Sequence, residues 1–371
     1  MRVGIPTEVK NNEYRVAITP SGVAELTRRG HDVLFQAGAG DGSAITDSDV
    51  KAAGAQVVST ADEVWAESDL ILKVKEPIPQ EYSRMRSGQT LFTYLHLAAS
   101  RSCTEALLAS KTTSIAYETV QTPDGALPLL APMSEVAGRL AAQVGAYHLM
   151  RTHGGRGVLM GGVPGVEPAI VVVIGAGTAG HNAARVAHGM GASVSVLDIN
   201  IDKLRDVDQG FSGQIQTRYS TALELEAAVK RADLVIGAVL LPGGKAPTLV
   251  SNSLVAHMKP GAVLVDIAID QGGCFEDSRP TTHDEPTFAV HDTLFYCVAN
   301  MPAAVPATST VALTNATMPY VLDLADKGWR DACQSNPALA KGLSTHDGAL
   351  LSQRVAADLA LPFTDPVALL I

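Results

Sequence analysis

A chain of 371 residues is longer than the roughly 250–300 residues over which one hydrophobic core usually grows, so two domains are expected. Its formal net charge of −10, with acidic and basic residues interspersed, argues against nucleic-acid binding, and no apolar run approaches the roughly 18 residues of a membrane span. The four cysteines lack Cys-x-x-Cys spacing and the N-terminus lacks the apolar core of a signal peptide, so we expect reduced thiols, no membrane partner and a cytoplasmic protein.

The first part of the chain alternates short apolar runs with helical patterns, which is typical of a doubly wound α/β domain. Thr19 followed by Pro20 predicts a capped helix start. Strands are predicted at 3–5, 33–35, 70–74, 90–94 and 113–117, and helices at 48–53 and 101–110. We expect residues 1–130 to form the first part of a substrate domain without a phosphate-binding motif.

A long helix is predicted from Pro132 to about Met150, because apolar residues recur there at helical spacing. The small residues Gly138, Ala142 and Gly145 allow another backbone to approach closely. This helix is expected to link the first domain to a cofactor domain that extends over residues 131–305.

Residues 170–198 contain every part of a dinucleotide-binding βαβ unit. A β-branched run leads into three glycines, of which Gly175 permits the turn, Gly177 leaves room for a pyrophosphate, and Gly180 allows close helix packing. The helix begins with Thr178 and Ala179, and its first amides are expected to face the phosphates.

The second strand of this unit ends at Asp198, about 20 residues after the glycines, where a carboxylate can bind the ribose hydroxyls. Such a carboxylate repels a 2′-phosphate and favours NAD over NADP, although Lys203 and Arg205 follow on the next helix. The alternative is a structural turn that holds no ligand.

Beyond Asp198, helices are predicted near 201–207 and 220–231 and strands at 233–239, 262–267 and 293–298. A helical pattern from about 306 to 328 and a helical appearance at 346–360 indicate that residues 306–371 return to complete the first domain. The predicted fold class is α/β, with two doubly wound Rossmann-like domains and the cofactor domain inserted into the substrate domain.

Four polar residues are placed where such sheets bind ligands. Arg15 follows the first strand, and Lys75 and His96 each follow a later strand. Asp270 follows the strand at 263–267. Each also has an ordinary interpretation, because most cations are solvated and a lone histidine is often structural.

Several segments can be compared with known families: MRVGIPTE at 1–8, EYRVA at 13–17, KVKEP at 73–77, YLHLA at 94–98, APMSE at 131–135, GAGTAG at 175–180, DIAIDQGG at 266–273 and VANMP at 298–302. Together they closely resemble alanine dehydrogenase over essentially the whole chain. The NAD-binding part of proton-translocating transhydrogenases has the same general pattern.

The resemblance implies NAD-dependent oxidative deamination of L-alanine to pyruvate and ammonium, and the reverse reaction, in a homohexamer. It assigns Arg15 and Lys75 to substrate binding, His96 to proton transfer and Asp270 to catalysis beside it. Asp270 either stabilises protonated His96 or orients the attacking water. The residues that the resemblance places near the dinucleotide are Ser134, Asp198, Lys203, Ser220, Val239, Leu240, Ile267, Asp270, Arg279, Val298, Asn300 and Met301.

Three alternatives to this function remain at the level of sequence. One is an enzyme of the same scaffold that aminates glyoxylate or another 2-oxo acid. The others are an NAD(H)-binding transhydrogenase-like subunit and an NAD sensor without turnover.

The long C-terminal helix departs from some similar chains, which carry a carboxylate and a histidine one helical turn apart. Here the two positions are Asp323 and Lys327. An ammonium group is a poor metal ligand but a good partner for an acid four residues before it, so we predict an ion pair and no metal.

Overall fold

The structure is a computed structural model that describes residues 1–239 and 246–370. The strands among these residues are β1 (Arg2–Ile5), β2 (Asp32–Gln36), β3 (Gln56–Val58), β4 (Leu70–Leu72), β5 (Thr90–Thr93), β6 (Thr113–Ala116), β7 (Ile170–Ile174), β8 (Ser193–Asp198), β9 (Gln216–Tyr219), β10 (Leu234–Gly237), β11 (Val263–Asp266), β12 (Thr287–Val290), β13 (Thr293–Tyr296), β14 (Leu343–His346) and β15 (Ala349–Leu350). The α-helices are α1 (Pro20–Arg28), α2 (Asp47–Ala52), α3 (Ala61–Glu67), α4 (Arg101–Ser110), α5 (Ala131–His148), α6 (Thr178–Gly189), α7 (Ile201–Gly210), α8 (Ala222–Arg231), α9 (Asn252–Val255), α10 (Pro306–Ser335), α11 (Pro337–Ala340), α12 (Gln353–Leu359) and α13 (Val367–Leu370). None of these helices combines the length and apolar character that crossing a bilayer requires.

The chain divides into two compact units. The first consists of Met1–Met133 together with the chain from Val305 onward, and the second is Ser134–Ala304. The boundary between the first segment and the second unit falls within α5.

The first unit is built on a sheet with the strand order β15-β14-β6-β5-β4-β1-β2-β3. Neighbouring strands from β1 to β6 are parallel, whereas β14 is antiparallel to β6 and β15 is antiparallel to β14. Because β1 lies between β2 and β4, the strand order reverses at β1. In doubly wound sheets, ligands bind beyond the carboxyl ends of the strands at such a reversal. The segments that follow β1 and β4 are therefore well placed for a site.

The second unit is built on a sheet with the order β12-β13-β11-β10-β7-β8-β9. The β-branched run forms β7, and four of its five residues are buried, as expected for a strand covered by helices on both faces. Strand β7 lies between β8 and β10, so the order reverses at the strand that leads into the glycines. Within the described part of this sheet, β12 alone is antiparallel to its neighbour.

Side-chain caps explain where several helices begin. The Thr19 hydroxyl accepts a hydrogen bond from the Gly22 amide at the start of α1, which confirms the predicted cap. Thr60 and Glu63 form a reciprocal capping box at the start of α3.

The predicted fold class is confirmed, but the helical interpretation of residues 346–360 is correct only for Gln353–Leu359 and wrong for the residues before them. Strands β14 and β15 form a hairpin around Asp347 and Gly348, both with positive φ (44° and 84°), and α12 begins only at Gln353. An Asp-Gly pair is a strong signal for a two-residue hairpin turn.

Helix α10 is interrupted at Gly328, whose φ of 77° and ψ of 162° are not helical. The Lys327 ammonium lies 3.0 Å from the Asp323 carboxylate one turn before this break, which confirms the predicted ion pair. The absence of a metal there stays a prediction.

Candidate active site

The three glycines after β7 differ in the space around them. Gly175 has a φ of 104°, and a Cβ there would lie 2.7 Å from the Ala238 carbonyl oxygen. A Cβ on Gly180 would lie 1.8 Å from the Gly175 carbonyl oxygen, so α6 packs directly on the turn. A Cβ on Gly177 would meet no atom within 4 Å. The turn therefore needs glycine for its own folding at 175 and 180, whereas Gly177 faces open space.

Helix α6 begins at Thr178 with Gly177 as its N-cap, and this N-cap supplies no side-chain hydrogen bond. The first amides of a helix, including those of Thr178 and Ala179, have no acceptor within the helix and carry its positive dipole end. The open space at Gly177 and these amides together suit a phosphate group.

Asp198, at the end of β8, has a structural role that the sequence analysis missed. One carboxylate oxygen accepts the Ala176 amide at 2.7 Å, and the other accepts the Asn200 amide at 2.8 Å. The carboxylate therefore joins the glycine turn to the start of α7, where Asn200 caps the helix. A signal was present in Asp198 and Asn200 themselves, because these residue types bond to nearby backbone amides.

Two further residues of the predicted dinucleotide set lie close to Asp198 in sequence or in the sheet. Ser220 follows β9, is partly buried and donates its amide to the Asp198 carbonyl at 3.0 Å. Lys203 is exposed in the first turn of α7.

The turn after β11 contains Asp266, Ile267 and Asp270. Asp266 is fully buried, and its carboxylate accepts the amides of Ala268 and Cys274 at 3.0 and 2.9 Å. Burial raises the pKa of Asp266, while these hydrogen bonds act in the opposite direction. Asp266 thus holds the turn together, whereas Ile267 is partly buried and Asp270 is exposed.

The remaining predicted residues are distributed around the same unit. Arg279 is exposed and places its guanidinium 4.1 Å from the centre of the Phe288 ring. Asn300 has a φ of 69°, and its carbonyl oxygen lies 3.2 Å from the His283 ring. Val298 and Met301 are buried, whereas Ser134, in the first turn of α5, and Val239, just after β10, are partly buried. Leu240 lies outside the described residues.

In the first unit, Arg15 is almost completely buried at 2% exposure and is paired with Glu13. Its Nε and Nη2 atoms donate to the two Glu13 carboxylate oxygens at 2.7 and 2.6 Å, and Nη1 approaches the Met133 sulfur at 3.0 Å. Burial alone lowers the pKa of Arg15, but the hydrogen bond and charge of Glu13 outweigh it and raise the pKa. The Nε and Nη2 edge of the guanidinium is therefore occupied by the Glu13 carboxylate.

Lys75 is buried on the segment after β4, and its carbonyl oxygen accepts the Thr93 hydroxyl at 3.1 Å. The preceding Lys73 is completely buried between Glu8 and Glu81, at 3.0 and 2.9 Å. The Glu8 carboxylate also accepts the Val74 amide at 2.5 Å. This buried charge cluster fixes the backbone immediately before Lys75.

His96 is partly buried after β5 and stacks on Tyr94, with ring centres 5.9 Å apart and an interplanar angle of 10°. The Tyr94 hydroxyl donates to the Leu129 carbonyl at 2.5 Å. Burial lowers the pKa of His96 well below 6.5, and the charges of Lys75, Lys10 and Arg15 lower it further. Burial first, and the neighbouring positive charges second, thus favour the neutral form of the imidazole.

The first unit therefore brings Arg15, Lys75 and His96 together, close enough for their charges to interact. The glycine turn and Asp198 are joined at the carboxyl ends of neighbouring strands in the second unit. Sequence reasoning missed Glu13 and Met133, which contact Arg15, and Glu8, which fixes the backbone before Lys75. The contacts of Met133 and Glu8 form only on folding, and the sequence does not distinguish Glu13 from an ordinary solvated acid.

A Rossmann-type unit with an open glycine turn, and a second α/β unit with two cations and a neutral imidazole, define a nucleotide-binding oxidoreductase. Comparison with known proteins agrees with this class. The model "Alanine dehydrogenase/PNT, N-terminal domain" matches residues 4–137, and "Alanine dehydrogenase/PNT, C-terminal domain" matches residues 141–353.

Alanine dehydrogenase from Mycobacterium tuberculosis (strain CDC 1551 / Oshkosh) is 83% identical over 370 residues, covering 100% of both chains. That from Halomonas elongata is 55% identical, again over 100% of both chains. A solved structure named L-alanine dehydrogenase has a TM-score of 0.94 at 49% identity and covers 97% of this chain and 99% of its own. A transhydrogenase from Sinorhizobium meliloti has a TM-score of 0.80 at 27% identity and covers 95% and 99%. The chain belongs to the alanine dehydrogenase/PNT family.

Proposed function

We propose that the chain catalyses the NAD-dependent oxidative deamination of L-alanine to pyruvate and ammonium, and the reverse reductive amination. The observation that carries the proposal is the grouping of Arg15, Lys75 and a neutral His96 in one unit of a family member that is 83% identical to an alanine dehydrogenase. The transhydrogenase relative is only 27% identical, so a transhydrogenase-like subunit is not favoured. No specific observation favours glyoxylate or an NAD sensor.

The second unit fits a dinucleotide. The open space at Gly177 and the uncapped amides of Thr178 and Ala179 suit the pyrophosphate, and Asp198 suits the ribose hydroxyls. Bound NAD supplies a hydride acceptor. The remaining predicted nucleotide contacts belong to this proposal: Ser134, Lys203, Ser220, Val239, Leu240, Ile267, Asp270, Arg279, Val298, Asn300 and Met301.

Arg15 and Lys75 hold the substrate in this proposal. Because Glu13 occupies the Nε and Nη2 face of Arg15, the substrate carboxylate must use another edge of the guanidinium. Lys75 is a single positive charge on a flexible stem, which suits the oxygen of the 2-oxo acid. Arg15 lies on the segment after β1 and Lys75 on the segment after β4, the two neighbouring strands at which the strand order of the first sheet reverses.

His96 moves the proton. A neutral imidazole accepts a proton at a ring nitrogen as the substrate is oxidised, and returns it in the reverse reaction. The lowered pKa of His96 keeps the accepting form available at neutral pH. Asp270 also takes part in catalysis in this proposal, which its exposed position after β11 supports, since ligands bind beyond the carboxyl ends of such strands.

The proposal extends to the organisation of the protein. Residues 1–130 and 306–371 form the substrate domain, residues 131–305 form the nucleotide domain, and the protein works as a homohexamer in the cytoplasm. The four cysteines are buried and not disulfide-bonded, which supports a reducing compartment. Light scattering of the purified protein tests for six copies.

The catalytic assignment is tested by mixing the protein with NAD and L-alanine and following NADH absorbance. We expect turnover in the unmodified protein and a loss of about 10²–10⁴-fold in His96→Ala, the range for removal of a general acid–base group. The Kd for NADH, measured by fluorescence titration, should stay nearly unchanged. Equal losses of turnover and NADH affinity would assign His96 a structural role instead.

A further inference from the structure

The backbone that carries His96 is held by the carboxylate of Glu118. Glu118 lies in a short 3₁₀ turn, Tyr117–Thr119, directly after β6, the strand next to β5. One of its oxygens accepts the His96 amide at 2.7 Å, and both oxygens lie 3.2 Å from the Leu95 amide. Two consecutive amides therefore converge on one carboxylate.

The conformation of His96 explains why this contact matters. His96 has a φ of 47° and a ψ of 41°, in the left-handed region that a residue with a side chain rarely adopts. Such a conformation persists only where its surroundings impose it. The Tyr94 ring stacks on one face of the imidazole, and among the residues that the structure describes only Glu118 accepts hydrogen bonds from the two amides at this bend.

We propose that Glu118 is a positioning residue, which clamps the Leu95 and His96 amides and thereby fixes the imidazole in its working orientation. This inference rests on the proposed role of His96 in proton transfer. Glu118 itself touches the backbone of His96 rather than the reacting atoms.

A carboxylate suits this task better than an amide. Both of its oxygens accept hydrogen bonds, and bonds from amides to a charged acceptor are stronger than neutral ones. In Glu118→Gln, one oxygen still accepts, but the new NH₂ group is itself a donor and cannot bind an amide N–H. Partial burial raises the pKa of Glu118, while the His96 and Leu95 amides favour its charged form.

The test is a double-mutant cycle with Glu118→Ala, His96→Ala and the combination, with kcat and the Kd for NADH measured for each. A misplacement of a catalytic group by about 1 Å costs on the order of 100-fold in rate, so we expect that loss in kcat for Glu118→Ala. Because Glu118 acts through His96, its removal from the His96→Ala protein should change kcat by no more than about twofold. The Kd for NADH should remain close to that of the unmodified protein throughout.

Glu63→Gln is the matched control. Its carboxylate also accepts a backbone amide, from Thr60 at 2.9 Å, but at the exposed start of α3. This variant should retain the kcat of the unmodified protein. If Glu118→Ala does not fold, Glu118→Gln is tested in its place. A lowered kcat with unchanged thermal stability and NADH affinity in this variant supports the positioning role of Glu118.

The possible failures can be told apart. Unmodified kcat in a folded Glu118 variant, alongside a large loss in His96→Ala, overturns the positioning role and leaves the proposed function intact. Losses that multiply in the double variant also overturn it, because Glu118 would then act independently of His96. If His96→Ala itself keeps full turnover, the proposed role of His96 fails and the inference fails with it.

Discussion

Asp198 provides a sharp test of nucleotide selection, because its carboxylate has both a structural and a proposed recognition role. Asp198→Asn removes the charge but keeps one accepting oxygen for either the Ala176 or the Asn200 amide. Asp198→Ala removes the charge and both hydrogen bonds. Comparing the two variants separates the effect of charge from the effect of an unanchored turn.

The repulsion between the Asp198 carboxylate and a 2′-phosphate can be calculated from the distance between the two charges. Two like unit charges 4 Å apart repel by about 1 kcal/mol in water, so a nearly dianionic 2′-phosphate at that distance is disfavoured by about 2 kcal/mol. This energy corresponds to about 30-fold in relative kcat/KM for NADP over NAD. The lost hydrogen bond should cost about 1 kcal/mol of unfolding free energy, or about 2–4 °C in Tm for a unit of this size, and Asp198→Ala should lose about twice as much.

The assay is initial-rate kinetics of alanine oxidation with NAD and with NADP. The control is Asp206→Asn, which makes the same charge change at an exposed position on α7. We expect Asp198→Asn to raise the NADP to NAD ratio by about 30-fold and the control to leave it unchanged. An unchanged ratio of kcat/KM for NADP to kcat/KM for NAD in a folded Asp198→Asn protein would refute the role of Asp198 in recognising the ribose. Asp198 would then only anchor the turn.

Two further predictions concern the glycine turn and the pH dependence. Gly180→Ala places a Cβ 1.8 Å from a backbone oxygen and should lower the free energy of unfolding by about 1–3 kcal/mol. Gly177→Ala meets open space, so it should keep the Tm of the unmodified protein but weaken NADH binding about tenfold. Thermal melts and fluorescence titration with NADH check both variants. Because the lowered pKa of His96 preserves its neutral, proton-accepting form as pH falls, the acidic limb of the pH profile of kcat/KM should lie below pH 6.5. Lys10→Gln removes one of the charges that lower this pKa and should move the acidic limb to higher pH, whereas the exposed control Lys111→Gln should leave it in place. An acidic limb that does not move in Lys10→Gln would contradict this electrostatic account.

Where the sequence analysis succeeded, the relevant signal was local. The run at 170–174, the glycines and Asp198 follow one another within a single βαβ unit, so spacing alone predicts their arrangement. The short strands β3 and β9 are only partly buried or exposed, so they lack the apolar run that marks a buried strand. They were missed for that reason.

The site residues were predicted by type and by place in the sheet, but their partners were not. Glu118 is 22 positions from His96, and Met133 is 118 positions from Arg15. Contacts of this kind arise only when strands from different parts of the chain are aligned. Glu13 lies only two positions from Arg15, yet its spacing alone does not distinguish a buried pair from two solvated charges.

The electrostatics of the first unit link substrate binding to proton transfer within the proposed reaction. Arg15 and Lys75 are the cations that would hold a carboxylate, and their charges are among those that lower the pKa of His96. An anionic substrate beside these cations offsets part of their field at the imidazole, because a nearby negative charge favours the protonated form. In the proposed reaction, the pKa of His96 is therefore low before the substrate binds and rises once the substrate carboxylate lies beside the two cations. In the proposed reaction these two charges thus serve recognition and add to the burial that lowers the pKa of His96.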